Sequence, residues 1–386
     1  MSEFIPLSVP SIKGNEWKYV KECLDTEWVS SAGKYVDLFE QKIGEYTGAK
    51  FAIATVNGTA ALHISLILAG VKENDEVIVP SLTFIAPINT VRYVNASPVF
   101  MDSDKYYNID SEKTIEFIKK ETVFKNSFTY NRKTNKRISA IIPVHVLGNA
   151  VCLDELVPLC KERNIKIIED STESLGTRYI KGKFAGKHTG TIGDFGTISF
   201  NGNKIITTGG GGMILTDNEE YAKKAKYLTT QAKDDEIRYV HNEVGYNYRM
   251  TNVLAAIGVA QLEKLDEYIS IKKNTFEKYK NGIKNIAGLE LADVPGFAAN
   301  NYWMLSLQID TKVYPLNREN LMKKLAESKI QTRPVWYPNH LQKPFNNYEN
   351  YKIENTLELV EKTLNIPSSV NITDDEIEFV IENLQQ

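Results

Sequence analysis

Cysteine and histidine are scarce in this sequence. Its 386 residues include only three cysteines and five histidines. The cysteines lie too far apart for a disulfide framework, and neither residue type shows the close spacing of metal ligands. We therefore expect no metal site and interpret all eight residues as structural. They are Cys23, Cys152, Cys160, His63, His145, His188, His241 and His340.

A strong excess of one charge and a long apolar run are also missing. The formal net charge is −3, so no overall positive field attracts nucleic acid or an anionic membrane. Nowhere do about 18 apolar residues follow one another, and residues 1–14 lack a basic segment followed by an apolar core. We expect a cytoplasmic protein that binds neither nucleic acid nor a membrane.

The composition is that of a globular protein, with 42% hydrophobic and 25% charged residues. Strand patterns separated by helical patterns recur at residues 51–55, 76–79, 98–101, 138–144 and 165–168. This alternation indicates an α/β fold with a mostly parallel sheet flanked by helices. We predict a large domain over residues 1–255, a connecting helix over 256–283 and a small C-terminal domain over 284–386.

A basic segment interrupts the alternation. Five lysines and arginines lie between residues 125 and 137, with no acidic residue after Glu121. A nucleic-acid patch and a solvated hairpin or loop both fit such a segment. Five charges in an acidic protein are a small footprint for nucleic acid, so we favour the exposed hairpin or loop.

Lys204 lies on a predicted turn between two strands. The β-prone residues 197–200 precede it, and four consecutive glycines follow at 209–212. A desolvated lysine loses its proton more readily, and the neutral amine can form a Schiff base with a carbonyl. Taken alone, Lys204 is better explained as a surface lysine beside a flexible turn, because nearly all of the 46 basic residues must be solvated.

Four further groups complete a chemical pattern with this lysine. Gly58 and Thr59 begin a predicted helix, where they form either an anion-binding site or an ordinary helix cap. Asp170 ends a predicted strand, where it is either an acid that binds a ligand or the cap of the next segment. Phe84 follows another strand, and Ser199 offers a hydroxyl group. Pyridoxal 5'-phosphate requires an amine, phosphate donors, a carboxylate at its ring nitrogen and an aromatic cover.

Five motifs then resemble the DegT/DnrJ/EryC1/StrS family of pyridoxal-phosphate sugar aminotransferases over essentially the whole chain. They are Asn-Gly-Thr-Ala-Ala-Leu at 57–62, Pro-Ser-Leu-Thr-Phe at 80–84, Glu-Asp-Ser-Thr-Glu at 169–173, Ser-Phe-Asn-Gly-Asn-Lys at 199–204 and Gly-Tyr-Asn-Tyr-Arg at 245–249. The resemblance implies fold type I of the pyridoxal-phosphate enzymes, with a smaller C-terminal α+β domain.

The resemblance also implies a role for each matching residue. Lys204 forms the Schiff base with the cofactor, Asp170 pairs with the pyridine nitrogen, and Phe84 stacks on the ring. The remaining cofactor contacts are Gly58, Thr59 and Ser199 at the phosphate, Glu173 near the phenolic oxygen, and Asn247, which a partner subunit sends to the phosphate. The family therefore implies a homodimer with shared active sites.

Some positions depart from the family pattern. Many members have two alanines where this chain has Ser171 and Thr172, and a glutamate where it has Gly210. Neither change removes a required group. The branch of the family that dehydrates sugars carries histidine in place of Lys204, so this lysine indicates an aminotransferase.

The implied reaction moves an amino group from L-glutamate to a keto-sugar nucleotide. Residues 201–204 resemble the branch that acts at C-4 of UDP-linked 4-keto-6-deoxy-N-acetylhexosamines. C-3 amination of a dTDP-linked sugar is the nearest alternative, and a GDP-linked substrate stays open. Arg249, Arg333 and His340 are candidate contacts of the nucleotide diphosphate, although each is equally an exposed or structural group.

Two hypotheses of other classes fit less well. The glycine run at 209–212 is not followed by the Gly-Lys-Ser or Gly-Lys-Thr of a nucleotide triphosphatase, and no GxGxxG follows the first strand. A cofactor-free scaffold or regulator of the same fold would not need the complete set of cofactor groups that this chain carries.

Overall fold

A computed structural model of the protein describes residues 4–235 and 237–385. The α-helices in these ranges are α1 (Glu16–Asp25), α2 (Lys34–Thr47), α3 (Gly58–Leu68), α4 (Ala86–Tyr93), α5 (Ser111–Lys120), α6 (Leu156–Glu162), α7 (Glu219–Thr229), α8 (Asn252–Leu262), α9 (Leu265–Ile283), α10 (Arg318–Glu327), α11 (Asn355–Lys362) and α12 (Asp374–Leu384). The strands are β1 (Phe51–Thr55), β2 (Glu76–Pro80), β3 (Ser97–Met101), β4 (Thr122–Lys125), β5 (Phe128–Asn131), β6 (Arg137–Ile141), β7 (Lys166–Asp170), β8 (Arg178–Tyr179), β9 (Phe195–Ser199), β10 (Gly212–Thr216), β11 (Leu289–Leu291), β12 (Ala298–Ala299), β13 (Leu305–Ile309), β14 (Arg333–Pro334), β15 (Asn350–Tyr351) and β16 (Thr363–Ile366).

The main sheet is mostly parallel, as the alternating pattern predicts. Its order is β1-β10-β9-β7-β6-β2-β3-β15, and the five strands from β9 to β3 run parallel to one another. β10 is antiparallel to both of its neighbours, β1 and β9. The carboxyl ends of the parallel strands therefore meet at one edge of the sheet, where ligands bind in folds of this class.

The strand and helix sequences explain these elements. β2 and β3 are buried along their whole length and consist mainly of apolar residues, as parallel strands with helices on both faces must be. Several helices begin at a side-chain cap. Asp110 accepts the N–H of Lys113 at the start of α5, and Thr373 forms a capping box with Glu376 at the start of α12.

The buried apolar residues form three clusters. Two lie on the main sheet: the larger includes residues of α2, α3 and α8, and the smaller residues of α5 and α6. The third belongs to the C-terminal part of the chain, where β11-β13-β16-β14 form an antiparallel sheet with α9, α10 and α12. The division of the chain into domains at residues 255 and 283 stays a prediction.

The connecting helix predicted over residues 256–283 is not one continuous helix. α8 ends at Leu262 and α9 begins at Leu265, with a turn between them in which the N–H of Lys264 donates to Gln261 at 3.0 Å. α8 packs against α1 and α2, whereas Phe276 and Tyr279 of α9 belong to the C-terminal cluster. α8 contributes to the larger cluster on the main sheet, whereas α9 begins in that cluster with Leu265 and Tyr268 and continues into the C-terminal one. The apolar spacing alone does not show the break between the two helices.

The basic segment forms the β4–β5 hairpin, which joins the main sheet through β6. Several of its cations have partners: Lys133 pairs with Glu349, and Arg137 pairs with Asp75. The hairpin interpretation is confirmed. Within the ranges that the structure describes, no helix is both long and apolar enough to cross a membrane.

Candidate active site

A cavity of about 400 Å³ lies at the carboxyl ends of the parallel strands. The end of β7, the end of β9, the turn after β9, the start of α3 and the loop after β2 contribute to its wall. Seven residues that the sequence predicts for the cofactor line this single cavity. They are Gly58, Thr59, Phe84, Asp170, Glu173, Ser199 and Lys204.

Lys204 projects its amine between an acid and an aromatic ring. Its backbone N–H donates to Asn201 at 3.0 Å, which closes the predicted turn after β9. The Nζ atom lies 3.6 Å from Oε1 of Glu173 and 4.3 Å from the centroid of the Trp303 ring. The side chain is only 13% exposed. The amine is thus largely shielded from solvent, as Schiff-base chemistry requires.

Two neighbouring acids at the end of β7 have opposite environments. Burial raises the pKa of Glu169, but His145 and the backbone N–H groups of Gly190 and Gly193 outweigh it, so that pKa lies below its usual range. Burial also raises the pKa of Asp170, and there the N–H of Thr172 at 3.1 Å offsets it only in part. Asp170 is therefore the acid that faces the cavity with unused hydrogen-bonding capacity.

Glu173 is a second buried acid in the cavity wall. Burial raises the pKa of its carboxyl, and Lys204 and the N–H of Leu147 lower it in part. That N–H donates to Oε2 at 2.8 Å. Leu147 has a φ of 58°, a left-handed conformation that costs free energy in a branched residue and is found at functional sites. The strained turn thus holds Glu173 beside Lys204.

The start of α3 is arranged to receive an anion. Asn57 caps the helix by accepting the N–H of Ala60 at 2.8 Å, and the first N–H groups of any helix lack intrahelical partners. Gly58 packs closely here, since a Cβ atom at this position would lie 2.9 Å from Cβ of Ser199 and 3.1 Å from Cγ2 of Thr172. Because Gly58 has no side chain, the backbone at the helix start, Thr59 and Ser199 surround a single space.

These groups fit pyridoxal phosphate. The wall combines a shielded amine, a buried carboxyl, an anion-binding helix start with two hydroxyl groups, and the ring of Phe84, which is 54% exposed. Among the described residues, no group of three or more histidine, cysteine, aspartate or glutamate side chains is placed to hold a metal ion.

Comparison with known proteins decides the family. The family model described as the DegT/DnrJ/EryC1/StrS aminotransferase family matches residues 10–385. The chain belongs to this family. It is accordingly a pyridoxal-phosphate-dependent sugar aminotransferase, and the enzyme class and cofactor predicted from the sequence are confirmed.

Individual relatives agree with this membership. The chain is 36% identical over 385 residues to a GDP-perosamine synthase of Escherichia coli O157:H7, covering 100% of this chain and 98% of that protein. It is 36% identical over 384 residues to a GDP-perosamine synthase of Caulobacter vibrioides, covering 99% and 98%. The aminotransferase TlmJ from Streptoalloteichus hindustanus superposes with a TM-score of 0.87 at 25% identity, over 99% of this chain and 98% of that one. The predicted fold type is confirmed.

Four predicted site residues do not line the cavity within one chain. Asn247 is exposed and forms an isolated bridge with Thr230. The other three have local partners: Arg249 donates to Gln231 at 3.3 Å, Arg333 donates to the carbonyl of Thr332 at 3.3 Å, and His340 lies 2.5 Å from the Ser81 hydroxyl. Their roles towards substrate and cofactor stay predictions.

Two tryptophans in the wall were not among the predicted site residues. Trp303 and Trp336 both line the cavity, although each is far from Lys204 in the sequence. The chain contains only four tryptophans, and Trp336 lies in the proline-rich segment 332–340. The rarity of tryptophan is a signal that could single out these two positions, but no sequence motif connects either of them with Lys204.

Replacement of the two neighbouring acids is expected to change stability in opposite directions. Above the usual pKa range of a carboxyl, the charge of Asp170 costs folding free energy because burial raises its pKa. Asp170→Asn should therefore increase the unfolding free energy of the cofactor-free protein at pH 8. Glu169→Gln removes a compensated buried charge and should decrease it by about 3–5 kcal/mol.

The differences in unfolding free energy between each variant and wild type should both become smaller at low pH. The stabilisation by Glu169 is lost as the pH falls through its lowered pKa, and the cost of Asp170 disappears once that carboxyl is protonated. Urea unfolding at pH 8, and at decreasing pH to about 3, measures both changes in unfolding free energy. Equal effects of the same sign at pH 8 would contradict the assignment of opposite environments.

Proposed function

We propose that the protein transfers the amino group of L-glutamate to the C-4 keto group of a nucleotide-linked 4-keto-6-deoxy sugar. The observation that carries this proposal is the position of the Lys204 amine, enclosed between Glu173 and Trp303 in the cavity that Asp170 also lines. We place the reaction in amino-sugar formation for surface glycans in the cytoplasm.

Each cofactor contact has a proposed residue. Asp170 would pair with the pyridine nitrogen, Phe84 would cover the ring face, and Glu173 would lie beside the phenolic oxygen. The start of α3 at Gly58 and Thr59 would hold the phosphate together with Ser199. When bound, pyridoxal phosphate withdraws electrons from the carbon that carries the amine, and a carboxylate at the ring nitrogen strengthens this effect.

Lys204 is the proposed acid and base. Its Nζ atom takes the α-proton of the amino donor once the lysine is free, and it returns a proton when the amine is delivered to the keto sugar. Glu173 lies 3.6 Å from this atom, so among the described residues its carboxyl is the nearest acid to the amine when the lysine carries a proton. The low exposure of the amine keeps water from exchanging these protons.

The acceptor nucleotide has two separate lines of support. The 201–204 motif favours the UDP-linked N-acetylhexosamine that we select first, whereas two relatives named GDP-perosamine synthase favour a GDP-linked sugar. With either nucleotide, the reaction that we propose is amination at C-4 of a 6-deoxy sugar. C-3 amination of a dTDP-linked sugar is the third candidate.

The proposed enzyme is a homodimer whose active sites are shared. Asn247 is exposed in the single chain, close in sequence to Tyr239 and Val244, which are 69% and 80% exposed. Apolar exposure of this extent in one segment favours a protein contact. We propose that this segment reaches the partner's cavity and that Asn247 contacts the phosphate there.

The acceptor prediction is tested by steady-state turnover. With L-glutamate as donor, we expect kcat/KM on a UDP- or GDP-linked 4-keto-6-deoxy sugar to exceed that on a dTDP-linked 3-keto sugar by at least about tenfold, because the pocket must hold the reacting carbon at the lysine. The product is identified by the position of the new amine. Faster turnover of the 3-keto sugar would overturn the C-4 proposal.

Shared sites are tested by mixing two inactive variants. Lys204→Ala and Asn247→Ala subunits should each lose activity, and their hybrid dimer should contain one complete site. Random exchange at equal amounts then restores about a quarter of wild-type specific activity, because half of the dimers are hybrids with one working site of two. If Asn247 acts within its own chain, the mixture stays as inactive as its components.

A further inference from the structure

Trp303 is a buried residue whose ring covers the reactive amine. The Nζ atom of Lys204 lies 4.3 Å from the centroid of its ring, and Trp303 is itself only 3% exposed. An ammonium group over the face of a tryptophan is attracted to it, and the attraction increases when water is excluded. The indole is therefore a contact for the free, charged form of this lysine.

Hydrogen bonds fix Trp303 at both its ring and its backbone. The indole N–H donates to the carbonyl of Asn203, the residue before Lys204, at 2.7 Å. The backbone N–H donates to Oδ1 of Asn301 at 3.0 Å. Tyr302, directly before it, has a φ of 53°, so a left-handed turn directs Trp303 into the cavity. The ring is thus tied to the same turn that carries the lysine.

A buried lysine holds the carbonyl of Trp303. Lys272 of α9 is 2% exposed and donates to the carbonyl groups of Trp303 at 2.9 Å and Ser368 at 2.5 Å. Burial lowers the pKa of its amine to about 7. A buried amine costs folding free energy unless it is hydrogen-bonded. The two hydrogen bonds of Lys272 connect α9 to the segment of Trp303 and to the segment of Ser368.

We propose that Trp303, held in place by Lys272, is a positioning residue for Lys204. Its indole face receives the amine whenever the lysine is not bonded to the cofactor, and keeps it beside Glu173. This inference rests on the proposed function, in which Lys204 is the reactive lysine. A free lysine side chain has several rotatable bonds, and a fixed contact restricts it to the geometry of proton transfer.

The first test uses the cofactor-free protein. Wild type, Trp303→Leu, Trp303→Phe and Lys272→Met are exposed to an amine-acetylating reagent, and acetylation of Lys204 is followed by mass spectrometry relative to the exposed Lys181. Loss of the covering ring should increase the rate at Lys204 about fivefold or more in Trp303→Leu, since burial controls access to the amine. Lys272→Met should increase it in part, and its matched control Lys273→Met, at an exposed neighbouring position, should not.

The second test follows a single turnover of the cofactor-loaded protein with L-glutamate. Trp303→Leu should slow the reaction about tenfold at saturating glutamate, whereas the half-saturating concentration should change by less than about twofold, because positioning acts after the donor has bound. Trp303→Phe retains a ring face and should recover most of the rate. Recovery by this conservative variant separates positioning from general damage to the fold.

The outcomes distinguish the two proposals. If borohydride reduction attaches the cofactor to a lysine other than Lys204 in wild type, both the proposed function and this inference are wrong. If Lys204 is labelled and Trp303→Leu matches wild type in acetylation and turnover, only the inference is wrong. Should Trp303→Leu fail to fold, Lys272→Met decides, and rates equal to those of Lys273→Met would overturn the proposal.

Discussion

The site depends on a carboxylate that has no access to water. Glu169, next to the end of β7, accepts hydrogen bonds from the backbone N–H groups of Gly190, Ile192 and Gly193 and from His145, at 2.6–3.0 Å. A buried charge requires such compensation, so the loop before β9 and the segment after β6 are both drawn to β7. The end of β7, the segment after β6 and the loop that leads into β9 are thereby joined, and Asp170 is the residue next to the carboxylate that joins them.

The charge balance of the cavity follows from this arrangement. Among its lining residues in the described part of the chain, Asp170 and Glu173 are the acids and Lys204 is the cation. A phosphate in this space would therefore meet backbone N–H groups and hydroxyls of the same chain rather than a second cation. The first turn of a helix can bind a phosphate in this way, because its backbone N–H groups carry a partial positive charge and do not ionise.

Local patterns predicted much of this arrangement. The strand over Phe51–Thr55, the helix start at Gly58, the acid at the end of β7 and the turn at Lys204 each depend on neighbouring residues, and each is present. The matching motifs supplied the family and the cofactor. These features share one property, since the residues that define them lie within a few positions of one another.

Features that depend on distant pairing were not predictable in the same way. Neither the insertion of antiparallel β10 between β1 and β9 nor the break between α8 and α9 leaves a local mark in the sequence. Trp303 lies over Lys204, and Asn301 and Lys272 form hydrogen bonds with its backbone. The wall is thus completed by hydrogen bonds between distant segments, which a linear pattern does not contain.

The visible absorption spectrum of the purified protein with pyridoxal phosphate, before and after L-glutamate, tests the central claim most directly. We predict a visible band in wild type that L-glutamate bleaches, and no such band in Lys204→Ala, because the lysine amine is the group that binds the cofactor aldehyde. Identical spectra of wild type and Lys204→Ala, both unchanged by glutamate, would contradict the account and favour a scaffold that has kept only the fold.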